Sequence, residues 1–378
     1  MSVPEPLRRA VLAASICAAC LAAQAHGDEA AAAARLPQRV ALLQRAQAEL
    51  ERGDATQALD DFERAAMMLH AADAELGLIR AAMQDGQYRR ALAFCAHTAG
   101  EHTDDADGGA LYAWLLRVGG QGELAAHVLA SARANAPGDP VAAAVQAAFD
   151  ATPPVASGVL LEPLHRMAPW PAEPGSKARP PASARFVSNG VLVDDGAAAL
   201  VPLSALERVP HARVWVRNGL GQAARAEVDR VDAALAARGL VRLKLDSPLP
   251  VAASRQGGRT PFAGSPGFAM QFGDASAPAW PMLAQGFLGT LVGDNEVRKL
   301  GFASASGAAV LDAHGALIGV TLASTEGPAT WLPLSVAPPP PAAAAPPQPP
   351  SHTGVALPAP DEIYESGLRR ALQVLVDS

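Results

Sequence analysis

Ser304-Ala305-Ser306-Gly307-Ala308-Ala309-Val310-Leu311-Asp312-Ala313-His314-Gly315-Ala316-Leu317-Ile318-Gly319-Val320 decides how the second half of this chain folds. A loop of small residues carrying Ser306-Gly307 runs into an apolar strand, Ala308 to Asp312. Asp312 and Gly315 bracket a turn, and a second strand follows from Ala316 to Ala323. Outward from this stretch the pattern repeats. Phe186 to Val193 reads as a strand, Asp195-Gly196 as a hairpin turn, and Ala197 to Leu203 as the returning strand. Arg213 to Arg217 and Leu240 to Leu245 alternate apolar with polar, and Thr330 to Val336 closes the series. Short strands at this density over 185–336 predict a β-sandwich or barrel.

The opening stretch resembles the nucleophile segment of the trypsin-like (chymotrypsin-fold) serine peptidases. In that family Gly-Asn-Ser-Gly-Gly-Pro leads into a strand, an Asp-x-x-Gly turn and a strand ending in Gly. Ser306 and Gly307 keep their places, whereas Ser304 stands where the family has Gly. Ser188-Asn189-Gly190-Val191-Leu192-Val193 is similar to the family's Ser-Gly-x-x-Val strand. The next segment, Ala199 to Leu206, then puts Ser204 in the place of the catalytic His. The strand beginning Gly239-Leu240-Val241-Arg242-Leu243 puts Gly239 in the place of the catalytic Asp. His211 is too far along to substitute, and Asp232 and Asp246 are each displaced by seven residues. The resemblance implies a double β-barrel with Ser306 as the aligned nucleophile. It also implies that Ser304 takes up a glycine-like conformation at a cost, because the family's Gly there helps shape the oxyanion hole. A serine hydroxyl attacks only with a base in reach and a group to orient that base. Removing such members costs roughly 10⁴ to 10⁶ in turnover. The lysines, Lys177, Lys244 and Lys299, follow no serine at dyad-like spacing.

Residues 39–150 read as helical and repetitive. Gly53, Gly86 and Gly120 recur at near-constant spacing. Ala58, Ala91 and Ala125 follow at five residues, Phe62, Cys95 and Leu129 at nine, and Ala65, Thr98 and Ala132 at twelve. This resembles the tetratricopeptide repeat, whose period is about 34 residues. Glycine ends the first helix of each unit and the small Ala lets paired helices approach. Pro140 to Phe149 is expected to cap the stack.

The fold class predicted is therefore multidomain: an N-terminal tetratricopeptide-type α-helical solenoid and a C-terminal trypsin-like double β-barrel. The remaining segments follow from composition. Residues 1–25 read as a secretory signal, with Arg8-Arg9, an apolar Ala10 to Ala23, and Ala23-Gln24-Ala25 before His26. This predicts a periplasmic or secreted protein; the alternative is a lipid anchor through Cys20. No other segment is apolar and long enough to span a membrane. Residues 151–184 are a Pro-rich linker or extended strap. Residues 337–359 are a Pro/Ala-rich linker, and 360–378 is predicted to be an amphipathic helix with Ile363, Tyr364, Leu368, Ala371, Leu372 and Leu375 on one stripe.

The chain has 378 residues, enough for two domains, and its 50% hydrophobic content excludes global disorder. A net charge of −7 without a basic cluster argues against a nucleic-acid partner. With Cys17 and Cys20 in the signal, Cys95 is left unpaired and reads as a small buried hydrophobe. No cofactor and no metal site are predicted: His97 and His102 read as surface polar residues, and Asp104-Asp105-Ala106-Asp107 as a solvated helix start. Pro261 to Phe268, with Trp280 and Gly286 to Gly289, reads as barrel core, or else as the lining of a peptide groove.

Three functions follow. The leading one is an exported cell-envelope pseudo-protease, without catalysis, whose repeats and barrel groove bind protein or peptide partners as a scaffold. The alternative is an active trypsin-like serine endopeptidase using Ser306 with a non-standard base. The third makes the barrel only a buttress for the repeats.

Overall fold

The computed structural model describes residues 35–151, 154–172, 177–209, 212–229, 232–251, 261–292, 297–322, 329–334 and 357–377. The secretory segment with Cys17 and Cys20, His211, and all of the Pro/Ala-rich segment except 357–359 lie outside them.

Seven helices come first: α1 (35–52), α2 (Ala55–Met68), α3 (Ala72–Asp85), α4 (Tyr88–Glu101), α5 (Ala106–Val118), α6 (Gly122–Asn135) and α7 (Pro140–Asp150). Gly53, Gly86 and Gly120 turn α1 into α2, α3 into α4 and α5 into α6, with φ of 88°, 83° and 85°. These are left-handed positions that a side chain opposes. Ala58, Ala91 and Ala125 are fully buried, as are Cys95, Leu129 and Thr98. Burial pushes the Cys95 thiol far up, which keeps it protonated and inert. Pro140 opens α7, where a missing N–H costs nothing, and Asp139 caps it through Ala142 N–H.

Two closed antiparallel barrels of six strands follow. The first uses β1 (Arg185–Val193), β2 (Ala198–Pro202), β3 (Arg213–Asn218), β4 (Ala223–Val228) and β5 (Leu240–Leu245). The second uses β6 (Pro266–Gln271), β7 (Met282–Leu291), β8 (Arg298–Leu300), β9 (Ala309–Asp312), β10 (Leu317–Leu322) and β11 (Thr330–Pro333), in the order β10-β11-β8-β7-β6-β9. Short helices α8 (Leu203–Glu207) and α9 (Ala233–Ala237) follow β2 and β4.

The sixth strand of the first barrel comes from the C-terminus, and here the expected tail helix is corrected. Helix α10 covers only Pro360–Gly367; the chain then becomes β12 (Ala371–Asp377). β12 lies between β1 and β3, in the order β1-β12-β3-β4-β5-β2. Its pairs run from Arg185↔Val376 to Val191↔Ala371 on one side and from Asp377↔Arg213 to Leu372↔Asn218 on the other. All seven residues of β12 are buried. A helix would bury one stripe of Ala371-Leu372-Gln373-Val374-Leu375-Val376, which is apolar on both faces of a strand, and it would leave the ladders of β1 and β3 unpaired. The barrel unit is therefore not 185–336 alone but includes 371–377.

The Pro-rich segment proves to be a packed strap, not a free linker. Leu160, Met167, Ala168 and Trp170 are buried. Arg80 on α3 donates to Arg166 O at 3.4 Å, and burial pulls the Arg80 guanidinium down to about 10. His165 meets Asp107 of α5 at 2.6 Å. Gln84 accepts from Trp170 N–H at 2.8 Å and donates to Leu220 O at 2.6 Å, tying helices, strap and first barrel together. Tyr88 of α4 packs on Tyr364 of α10 with ring centroids 4.3 Å apart. Tyr364 OH donates to Pro281 O at 2.9 Å, so the tail also reaches the second barrel.

Candidate functional site

Two devices place Ser306. The first is Thr321, buried on β10. Its hydroxyl donates to Ala305 O and accepts from Ala308 N–H at 2.8 Å, while its carbonyl accepts from Gly307 N–H at 2.8 Å. The second is Gly307, at φ 83°. A Cβ there would stand 2.1 Å from Asn189 O on β1, so only glycine lets the loop press against the first barrel. Asn189 in turn accepts from Phe272 N–H at 2.6 Å in the second barrel. The loop thus sits on the seam between the barrels.

A cleft of about 470 Å³ opens at this seam. Ala305 and Ser306 line it from the second barrel, Asn189, Ser204 and Arg208 from the first, and Asp274 from the segment after β6. Ser306 Oγ is shielded from solvent and makes no hydrogen bond among the described residues. Ser204 is exposed at the start of α8, and its carbonyl accepts from Arg208 Nε at 2.9 Å. The structure therefore brings two of the three aligned positions to one cleft. Gly239 stays outside the lining. It is exposed, at φ 78°, and its N–H closes α9 on Ala236 O at 2.9 Å. Its carbonyl accepts from Leu203 N–H at 2.9 Å, one residue before Ser204. Its role is the left-handed stop of a helix, which accounts for the glycine without reference to chemistry.

The strain expected at Ser304 is absent. Among the described residues, positive φ outside glycine occurs at Asp194 and Asp195, in the β1–β2 turn. Ser304 Oγ donates to Gln271 Oε1 at 3.0 Å, and Ala305 N–H donates to the same oxygen at 2.5 Å. The glutamine at the end of β6 thus holds the loop where the family uses glycine. Among the described residues lining the cleft there is no imidazole and no amine. Arg208 brings a donor-only guanidinium and Asp274 an exposed carboxylate. Among the described residues the cleft thus presents one fixed cationic donor and one carboxylate acceptor.

Arg208 was missed in sequence, and the signal that could have found it is its place one helical turn beyond Ser204. Gln271, Asp274 and Thr321 carried no local signal, because contacts between strands far apart in sequence bring them in. The aromatic stretch divides: Phe268 and Trp280 are core, while Phe262 and Phe287 are exposed on the second barrel, away from the cleft lining. In the helical half, Asp105 caps α5 through Asp107 N–H at 2.9 Å, and burial raises the Asp107 carboxyl, partly offset by His165. His97 is on the surface, as expected, and His102 is half-buried. They converge with His70 on the buried Glu75.

Helices followed by two six-stranded barrels, with the Ser306 loop at the barrel seam, place the second half of the chain in the trypsin-like fold class. No family profile and no curated protein matches the chain. Among solved structures it is similar to the MamO protease domain from Magnetospirillum magneticum in its apo form. The two are 17% identical with a TM-score of 0.32 over 41% of this chain and 87% of that one.

Proposed function

We propose that this is an exported cell-envelope protein in which a decayed trypsin-like domain serves as a binding surface and not as a peptidase. The observation that carries the reading is the isolation of the Ser306 hydroxyl. It makes no hydrogen bond among the described residues, and the aligned base position, Ser204, offers only another hydroxyl. A shielded alcohol with no base beside it is not set up as a nucleophile.

The partner is an extended protein or peptide segment lying along the cleft. Ser204, Arg208 and Asp274 supply donors and acceptors for a backbone. The helical half we assign to the tetratricopeptide type, on the spacing of Gly53, Gly86 and Gly120 and the buried Ala58, Ala91 and Ala125. Helices α3 and α5 carry the protein's own strap through Arg80, Gln84 and Asp107, so the repeats here hold the barrels as a scaffold, and the cleft is left for the partner. Localisation to the periplasm or outside the cell rests on the signal-like residues 1–25, with lipidation at Cys20 as the alternative.

A fluorophosphonate probe tests the central claim. No labelling of Ser306 is expected. Labelling that disappears in Ser306→Ala would establish the alternative, a working endopeptidase with a non-standard base. Ser204→His is expected to yield no detectable ester or peptide hydrolysis, because Gly239 supplies no orienting carboxylate and catalytic groups act as a unit. Robust turnover from that single change would show that only the base had been lost.

A further inference from the structure

We propose that His70, Glu75, His97 and His102 form a binding site for one divalent transition-metal ion, Zn²⁺ by its chemistry, between the first and second helix pairs. His70 lies in the α2–α3 connection, Glu75 in the first turn of α3, His97 on α4, and His102 at the C-terminal cap of α4. All three imidazoles present Nε2 to the Glu75 carboxylate. His70 Nε2 is 2.7 Å from Glu75 Oε1, His97 Nε2 is 3.7 Å from the same oxygen, and His102 Nε2 is 3.5 Å from Oε2. The Nε2 atoms of His70 and His97 are 3.1 Å apart. Ligand atoms of His70, Glu75 and His102 all lie within 4.8 Å of one another.

Three of these separations approach the edge of a tetrahedral site, two of them involving His97 and one, from His102, to the other carboxylate oxygen. Zinc holds imidazole nitrogen and carboxylate oxygen at about 2.0–2.2 Å, which sets the ligand-to-ligand edge at roughly 3.3–3.5 Å. The His70–His97, His97–Glu75 and His102–Glu75 distances lie close to that edge. The His70–Glu75 distance is shorter, and His70 sits on an exposed connection that can give way. The protons do not fit as well as the geometry. His70 and His97 point ring nitrogens at each other, and only one of two facing neutral nitrogens can donate. His102 Nε2 is shielded from solvent and makes no hydrogen bond among the described residues. A metal ion removes both difficulties by accepting a lone pair from each ring.

The surroundings orient the carboxylate. Thr98 Oγ1 donates to Glu75 Oε2 at 2.7 Å and leaves Oε1 turned towards His70 and His97. Metal ligands are commonly fixed by such a neighbouring donor. Thr98 occupies the repeat position that Ala65 and Ala132 fill in the other units, so this unit departs from its own pattern where the carboxylate needs a partner. Three imidazoles and one carboxylate favour zinc or a neighbouring ion over magnesium or calcium, which take oxygen. Four protein ligands leave no open position, so the role is structural: the ion cross-links the end of one helix pair to the next.

Full-length chain without a histidine tag, stripped with chelator, tests the proposal. Titration with Co²⁺ should give the intense visible bands of a tetrahedral centre at one equivalent, and Zn²⁺ should displace it and raise Tm. His97→Ala and His102→Ala should each weaken Zn²⁺ binding by at least the roughly 10–100-fold that loss of a mere ligand-orienting neighbour costs, while His127→Ala on α6 leaves it unchanged. The site is overturned if there is no stoichiometric binding, or if binding survives His70→Ala/His97→Ala/His102→Ala together. Should those variants misfold by far-UV circular dichroism, X-ray absorption of the zinc-loaded wild type decides. Three imidazoles and one oxygen support the site, and fewer than two imidazoles overturn it.

Discussion

The two barrels are built from the same number of strands and closed by different means. The second draws all its strands from one continuous stretch, β6 to β11, so each new strand finds a partner soon after it is made. The first has five strands in sequence and a gap between β1 and β3, which β12 fills from the far end of the chain. Closure of the first barrel therefore depends on a contact of very long range, with a correspondingly large loop-closure cost. The same segment carries α10, whose Tyr364 joins the helical half and the second barrel. One short tail thus connects three parts of the molecule, and the two barrels should respond very differently to changes in it.

Deleting 360–378 should have the largest effect. It opens two strand edges and strips Leu372, Val374 and Val376 from the core of the first barrel. We expect loss of the cooperative melt and insoluble protein. A soluble truncated chain melting like wild type would show that the first barrel closes without β12 and would end the comparison. Tyr364→Ala should come next. The ring is fully buried and its hydroxyl is satisfied by Pro281 O. Truncating a buried aromatic costs about 3–5 kcal/mol, readable by denaturant unfolding. The comparison is sharpened if this change exposes β1 and β3 amides to hydrogen exchange while β9 and β10 stay protected.

Gly307→Ala probes the contact between the barrels. A methyl group there meets Asn189 O and forces a left-handed residue, so a loss of about 1–3 kcal/mol is expected. Chemical denaturation measures it, and an unchanged midpoint would mean that the Ser306 loop does not bear on β1. The smallest effect lies outside both barrels and gives a baseline. Hydrogen bonding from Arg45 holds the Asp61 carboxyl below its ordinary range. The native state then favours the ionised form, so this contribution is present above the ordinary carboxylate range and is lost as pH falls through the depressed value. Asp61→Asn should lower Tm by about 1–2 °C at neutral pH. In strong acid it should do nothing, and a difference that persists there would assign the effect to packing.

Local pattern carried much of this fold. The glycines that turn α1, α3 and α5 into their partners, the buried Ala58, Ala91 and Ala125, the β1–β2 hairpin and the Ser306-Gly307 loop before β9 are all set by period, propensity and left-handed φ. Those are properties of residues within a few positions of one another. What escaped was of another kind. The stripe Ile363 to Leu375 has helical spacing, and only the open edges of β1 and β3 turn its second half into a strand. Ser304 reads as strained until Gln271 arrives from another strand to hold the loop. Gly239, aligned with the family's catalytic carboxylate, also supplies the left-handed stop of α9, which only the fold reveals.

The sequence by itself determined the division into a helical region, a strand-rich half and a tail, and only its resemblance to the trypsin-like peptidases aligned Ser204 and Ser306 as parts of one site. Only the tertiary structure decided that the strap lies on α3 and α5, that the tail closes the first barrel, and that His70, Glu75, His97 and His102 meet. The physical reason is common to all three. Each depends on which unpaired edge, buried face or buried charge another segment must cover. That demand exists only when the rest of the chain is already in place.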